Sequence, residues 1–192
     1  MYFIDTECST TLEIKKSKFI TYITSYKNFN DLMHQLRKEH TKARHFVYAY
    51  RYLNEFDQIV ENSSDDGEPK GTSGRPTLSV LSGSELINTA VIVVRYFGGV
   101  KLGTGGLVKA YSDAVNLVLQ SVLIEPYVKL EYKKLTIDYS QLSQIEYIIS
   151  RLKISIIDKV FLDKICLQLE ASSKEYEKLT SEIFRNNILE DL

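Results

Sequence analysis

One stretch, Asn62 to Asp113, limits what this chain can fold into more than any other. It holds all nine glycines and two of the three prolines of the 192-residue sequence. Two polar, turn-rich segments flank the apolar run Ala90–Phe97. A run of about eight Val- and Ile-rich residues between turn residues predicts a buried strand rather than a helix. Gly98, Gly99, Gly103, Gly105 and Gly106 follow directly. Leu107, Tyr111, Ala114, Val118 and Val122 then fall three or four apart, which predicts a helix over 105–123. The order is acidic Gly-rich loop, short connector, buried strand, Gly-rich turn, helix.

Glycines between a strand and a helix let backbone amides turn toward an anion, where the helix dipole also favours negative charge. The candidate anion or nucleic-acid site is therefore Gly103, Thr104, Gly105 and Gly106 with the cations Lys101 and Lys109. Arg44, His45, Lys70, Arg75 and Arg95 complete it. The pattern is neither the phosphate loop G-x-x-x-x-G-K-[ST] nor the dinucleotide fingerprint G-x-G-x-x-G. A tight strand-to-helix turn explains the same glycines equally well.

Local charge is more informative than the net charge of −1. Leu53–Pro69 carries six acidic residues and no basic one, whereas Lys70–Lys109 carries five basic residues against Glu85. Either the acidic loop screens a basic site, or the two are solvated segments that never meet. Asp65, Asp66 and Glu68 have the oxygens for Mg²⁺ or for acid–base work. A mobile acidic turn explains them better, because no His or Cys accompanies them at metal-ligand spacing. No catalytic residue, metal or cofactor is expected. Asn54–Pro76 reads as a long loop, and Asn62–Gly74 as more mobile than the strands around it.

The rest reads as α+β. Thr10–Lys15 and Lys18–Ser25 suggest a hairpin about Lys16–Ser17. Asn28 or Asn30 caps a helix to about His40, with Phe29, Leu32, Met33 and Leu36 on one face. His45–Tyr52 is a strand with Phe46, Tyr48, Tyr50 and Tyr52 on one side and His45, Val47, Ala49 and Arg51 on the other. The aromatic side packs under helices in preference to stacking on bases, which leaves His45 and Arg51 open to ligand. A short helix over 76–86 precedes the buried strand. Helices on one face of the sheet would leave the other open to a partner. Pro126 marks a boundary between domains 1–125 and 130–192. The second shows a βαββα order over 130–139, 140–152, 154–161, 164–171 and a Ser172- or Ser173-capped helix to about Asn186, with the closing strand of the full pattern missing or very short. Cys8 and Cys166 suggest neither a disulfide nor a zinc site, and no apolar run reaches the ~20 residues of a membrane span. A cytoplasmic protein is expected.

DDGEPKGTSGRP at Asp65–Pro76, followed by VVRYFGGVKLGTGGLVKAY at Val93–Tyr111, resembles the signature of the IMPACT family. SKFI at Ser17–Ile20 and ARHFVYAY at Ala43–Tyr50 agree with it. The second of these departs from the family's T-H-x-C-Y-A-Y, with Arg44 before His45 and Val47 in place of the Cys. The resemblance implies an N-terminal domain like the second domain of a small-subunit ribosomal protein. It also implies a ferredoxin-like βαββα C-terminal domain similar to one in the translocation elongation factor. It implies nucleic-acid binding and a link to translation, with RNA, the ribosome or a protein as partner. Eukaryotic relatives compete for a ribosome-associated activator of the starvation kinase, but their partner-binding segments are not identifiable here. An enzyme acting on an anionic small molecule at the Gly-rich turn, or a protein-binding adaptor, are the alternatives.

Overall fold

The computed structural model describes residues 1–183 and 187–192. The chain divides into two compact units, Met1–Tyr127 and Val128–Leu192, each mixing helices with an antiparallel sheet.

The N-terminal unit runs β1 (Tyr2–Phe3), β2 (Cys8–Ile14), β3 (Ser17–Ser25), α1 (Phe29–Glu39), β4 (His45–Leu53), β5 (Ile59–Ser64), α2 (Gly74–Gly83), β6 (Thr89–Tyr96), α3 (Gly103–Leu119) and β7 (Glu125–Pro126). Five strands form one antiparallel sheet in the order β2-β3-β6-β4-β5. The two-residue strands pair separately, Tyr2 opposite Pro126. Proline lacks the N–H of a ladder donor, so a short edge strand suits it.

β6 is central, and residues 89–95 of it are buried. Its apolar run is continuous because both faces are covered. On one face Val91 and Val93 join Val47, Ala49, Phe19 and Ile23 under Leu81 of α2 and Leu107, Tyr111, Ala114 and Val118 of α3. On the other, Ala90, Ile92 and Val94 pack with Phe46 beneath Phe29, Leu32 and Leu36 of α1. The expectation of helices on one face only is thus corrected. The alternation in β4 is apolar on both of its sides, and each side has its own helices to meet.

The tyrosines of β4 are used internally. The Tyr26 and Tyr52 rings stack 4.1 Å apart with planes 5° from parallel, and Phe29 lies against Tyr48 and Tyr50. Arg51 is not open to ligand. It is buried, donates to Glu61 at 2.6 Å and to the Leu86 carbonyl at 2.8 Å, and so satisfies backbone just beyond the end of α2.

The first hairpin turns on Lys15 and Lys16, both at positive φ (48° and 66°), which matches the twist of two-residue hairpins. Asn28 precedes α1 but its side chain makes no capping bond, because a 3₁₀ turn over Tyr26–Asn28 leads into the helix instead. The expected long loop after β4 is half strand. β5 is an edge strand whose polar sequence carries no period-two signal, and its ladder with β4 holds it.

The C-terminal unit runs β8 (Glu131–Ile137), α4 (Leu142–Arg151), β9 (Ser155–Phe161), β10 (Ile165–Ala171), α5 (Ser173–Glu182) and β11 (Ile188–Asp191). Strand order is β11-β8-β10-β9, all antiparallel. Alternate residues Ile165, Leu167, Leu169 and Ala171 of β10 face Ile145, Ile149, Tyr176 and Leu179 of the two helices. Ser172 and Glu175 form a reciprocal capping box that starts α5. A four-residue closing strand is present. The expected extension of α5 to about Asn186 reaches residues 184–186, which lie outside the described residues.

Candidate functional site

Asp65, Asp66 and Glu68 follow β5, and each has a separate task. The Asp65 carboxylate accepts from the amides of Gly71, Ser73 and Gly74 and from the Ser73 hydroxyl, at 2.7–3.0 Å. It closes the loop onto the start of α2. The close fit leaves no room at Gly74, where a Cβ would lie 2.7 Å from the backbone of Ser64. Asp66 accepts from the Phe46 amide at 2.6 Å and pairs with Arg37 at 3.3 Å. Its carbonyl takes the Nδ1 proton of His45 at 2.9 Å. A carbonyl only accepts, so this contact fixes the imidazole tautomer.

Glu68 is buried, 8% exposed. Its Oε1 accepts from Arg95 and, at 2.9 Å, from the Tyr111 hydroxyl, with His45 Nε2 at 4.0 Å. Burial and then the Glu68 charge push the Tyr111 phenol far above its ordinary pKa, so it remains a neutral donor. The acidic and basic segments therefore meet, and Glu68 and Arg95 are the residues through which they meet. In these contacts the carboxylates are structural acceptors. Among the described residues no group of three His, Cys, Asp or Glu side chains is arranged to hold a metal ion.

The Asp65 contacts set a pH dependence. Burial opposes its charge, but the four hydrogen bonds outweigh that and hold the carboxyl below its usual value. A carboxyl depressed in the folded state stabilises above its unfolded pKa of about 3.9, and the contribution disappears as pH falls through the lower folded value. Asp65→Asn is expected to cost about 2 kcal/mol near neutrality and to flatten the loss of stability below about pH 4. Urea unfolding as a function of pH measures both. Rapid amide exchange at Gly71, Ser73 and Gly74 in the free protein would show instead that these bonds are not kept in solution.

Beyond β6 the chain passes Phe97 and reaches α3 through Gly99 and Gly103, at φ of 85° and 75°. These positive φ angles are where glycine is required. Gly105 and Gly106 lie inside the first turn of α3, and a Cβ at Gly105 meets nothing within 4 Å. Gly105 is therefore not one of the glycines held at positive φ. No side chain caps α3, and no acidic residue occupies its first turn. Its leading amides are free to face an anion.

Glu68, Pro69, Arg95, Phe97, Lys101, Leu102, Gly103, Thr104 and Leu107 line a cavity of about 340 Å³ at this helix end. Of the residues singled out from sequence, Arg95, Lys101, Gly103 and Thr104 converge on it. Arg44, Lys70 and Arg75 are exposed cations that, with Lys101, make no ion pair among the described residues. Arg44 precedes His45, Lys70 follows Pro69, and Arg75 opens α2 beside the Asp65 contacts. Lys109 is one turn further along α3 and pairs with Asp113 at 3.0 Å. Arg95 is 5% exposed and committed to Glu68, so it is not a surface cation. Sequence reasoning missed Glu68 as a buried acceptor, and missed Phe97, Leu102 and Leu107 as cavity wall. Tyr111 carried a helix-periodicity signal, which marks its inward direction but not its hydroxyl partner.

A family model, the Impact N-terminal domain, matches residues 15–119. The chain belongs to the IMPACT family. That match spans every candidate residue from Arg44 to Lys109. An IMPACT family member of Haemophilus influenzae is 40% identical over 89% of this chain and 84% of its own length. The IMPACT family member YigZ of Escherichia coli is 34% identical over 89% and 85%. Among solved structures, the crystal structure of a hypothetical protein superposes with a TM-score of 0.71 at 31% identity, covering 100% of this chain and 96% of that one. No helix among the described residues is long and apolar enough to cross a membrane.

Proposed function

We propose that this IMPACT family protein is a cytoplasmic, non-catalytic regulator of translation that binds RNA or a ribosomal surface through its N-terminal unit. The observation that carries the reading is that Arg44, Lys70, Arg75 and Lys101 are exposed and without ion pairs among the described residues, with Lys101 lining the cavity at the uncapped start of α3. Phosphates favour such a surface, since cations and helix-end amides both stabilise them. The reading extends to the fold. The N-terminal unit is taken as like the second domain of a small-subunit ribosomal protein, and the C-terminal unit as ferredoxin-like. The strand order β11-β8-β10-β9 with both helices on one face supports the second assignment.

Fluorescence anisotropy with a labelled single-stranded RNA tests the binding. Lys101→Ala is expected to weaken binding for every RNA sequence alike and to reduce the salt slope by about 0.7, with the melting temperature unchanged. Unchanged affinity and slope in the folded variant would remove Lys101 from the surface.

The two units are taken to fold independently. Limited proteolysis is expected to cut near residues 123–132 and leave a stable C-terminal fragment. Simultaneous loss of both parts would argue for a single cooperative domain.

A further inference from the structure

The cavity at the start of α3 measures about 340 Å³. That is at the small end for ligand sites and fits one nucleotide better than a length of strand. Its wall is chemically divided. Pro69, Phe97, Leu102 and Leu107 are apolar, Lys101 and the amides of Gly103 and Thr104 are positive, and Glu68 is a carboxylate. Glu68 is the informative member. Its Oε1 takes Arg95 and Tyr111, whereas no donor among the described residues reaches Oε2. Glu68 is more than nine-tenths buried, and its second oxygen keeps contact with solvent at the cavity, where it is open to accept from a ligand hydroxyl. A phosphodiester has no donor to offer. Arg95, on the same wall, leaves its buried Nε without an acceptor.

A ligand matching this wall carries a hydroxyl donor for Glu68, an anionic group for Lys101 and the α3 amides, and a flat or apolar body for Phe97, which is 48% exposed. A ribonucleotide has all three. Its vicinal 2′- and 3′-hydroxyls suit a carboxylate, its phosphate suits a helix N-terminus, and its base suits an exposed aromatic ring.

We propose that this cavity binds a ribonucleoside 5′-phosphate unit bearing a free 2′,3′-diol. Two sources present that chemistry, a free mononucleotide and the 3′-terminal nucleotide of RNA. For the second source the proposal rests on the RNA reading given above, and it supplies the means by which the site tells RNA from DNA.

Calorimetric titration with AMP, UMP, dAMP and adenosine tests the cavity. Competition by a short RNA, with its 3′ end intact or periodate-oxidised to destroy the diol, separates the sources. AMP and UMP are expected to bind, and dAMP and adenosine to bind at least about tenfold more weakly: dAMP because a site built for a hydroxyl rejects the analogue lacking it, and adenosine because it has no phosphate for Lys101 and the α3 amides. Phe97→Ala, at an exposed position, is expected to weaken AMP about tenfold without lowering the melting temperature. Glu68→Gln gives a second check where it folds. Competition by intact but not oxidised RNA assigns the site to RNA 3′ ends. AMP binding without competition by either RNA assigns it to free nucleotides and removes RNA from this cavity. RNA binding that is indifferent to oxidation, with no AMP binding, overturns the cavity proposal and leaves the RNA reading standing. Absence of both overturns both.

Discussion

Glu68→Ala lowers the stability of the N-terminal unit by about 3–5 kcal/mol, the usual cost of removing one member of a buried ion pair. The Arg95 guanidinium then sits 5% exposed without a counter-charge, and the Tyr111 hydroxyl loses its acceptor. Neither group can recover water where it lies, so the desolvation each has undergone is no longer offset. A fall in melting temperature of at least about 10 °C is expected by circular dichroism. The double variant Glu68→Ala, Arg95→Met regains most of the loss, since apolar replacement of a whole buried pair is often neutral or stabilising. A single-variant loss below about 1 kcal/mol would mean that the pair is hydrated and does not hold the acidic loop to β6.

Gly98→Ala is expected to be nearly as damaging for a steric reason. A Cβ at Gly98 would lie 2.0 Å from the carbonyl carbon of Lys16 and 2.3 Å from the Ser17 amide nitrogen. Both are backbone atoms of the β2–β3 turn, whose positive φ angles leave little room to shift. The Gly98 amide also donates to the Ser17 hydroxyl at 3.2 Å, and that bond parts if the turn is displaced. A loss of about 3 kcal/mol follows, at the upper end for overpacking because no rotamer change relieves it. Gly105→Ala is the control. It lies in the right-handed first turn of α3 with open space around it, so it is expected to be neutral or to stabilise by up to about 1 kcal/mol. Urea denaturation of the two variants side by side measures the contrast, and equal losses would contradict the placement of both glycines.

The sequence was most legible where periodicity and burial coincide. The run Ala90–Phe97 shows its strand because β6 is buried on both faces, and α3 and α4 show their apolar stripes. β5 was not legible, since Glu61, Asn62, Ser63 and Ser64 hold their strand only through the β4 ladder. Which glycines of the cluster take positive φ was not legible: Gly99 and Gly103 do, while Gly105 and Gly106 are helical. At the site, the cations could be counted from sequence, but their pairing could not. Arg95 and Lys101 are indistinguishable as letters, and only the three-dimensional fold shows one committed to Glu68 and the other exposed. The role of Glu68 depends on residues 27 and 43 positions away, Arg95 and Tyr111, and no local pattern encodes that.

The central claim is that the exposed cations Arg44, Lys70, Arg75 and Lys101 bind RNA phosphates. The most direct measurement is the dependence of RNA affinity on salt, for the wild type and for a variant with Arg44, Lys70, Arg75 and Lys101 all changed to Ala. Four phosphate contacts on a single strand predict a log–log slope of about −3 for the wild type. The folded variant is predicted to show a slope near zero and affinity too weak to measure at physiological salt. A wild type that binds no RNA, or a folded variant that keeps the wild-type slope, would contradict the account.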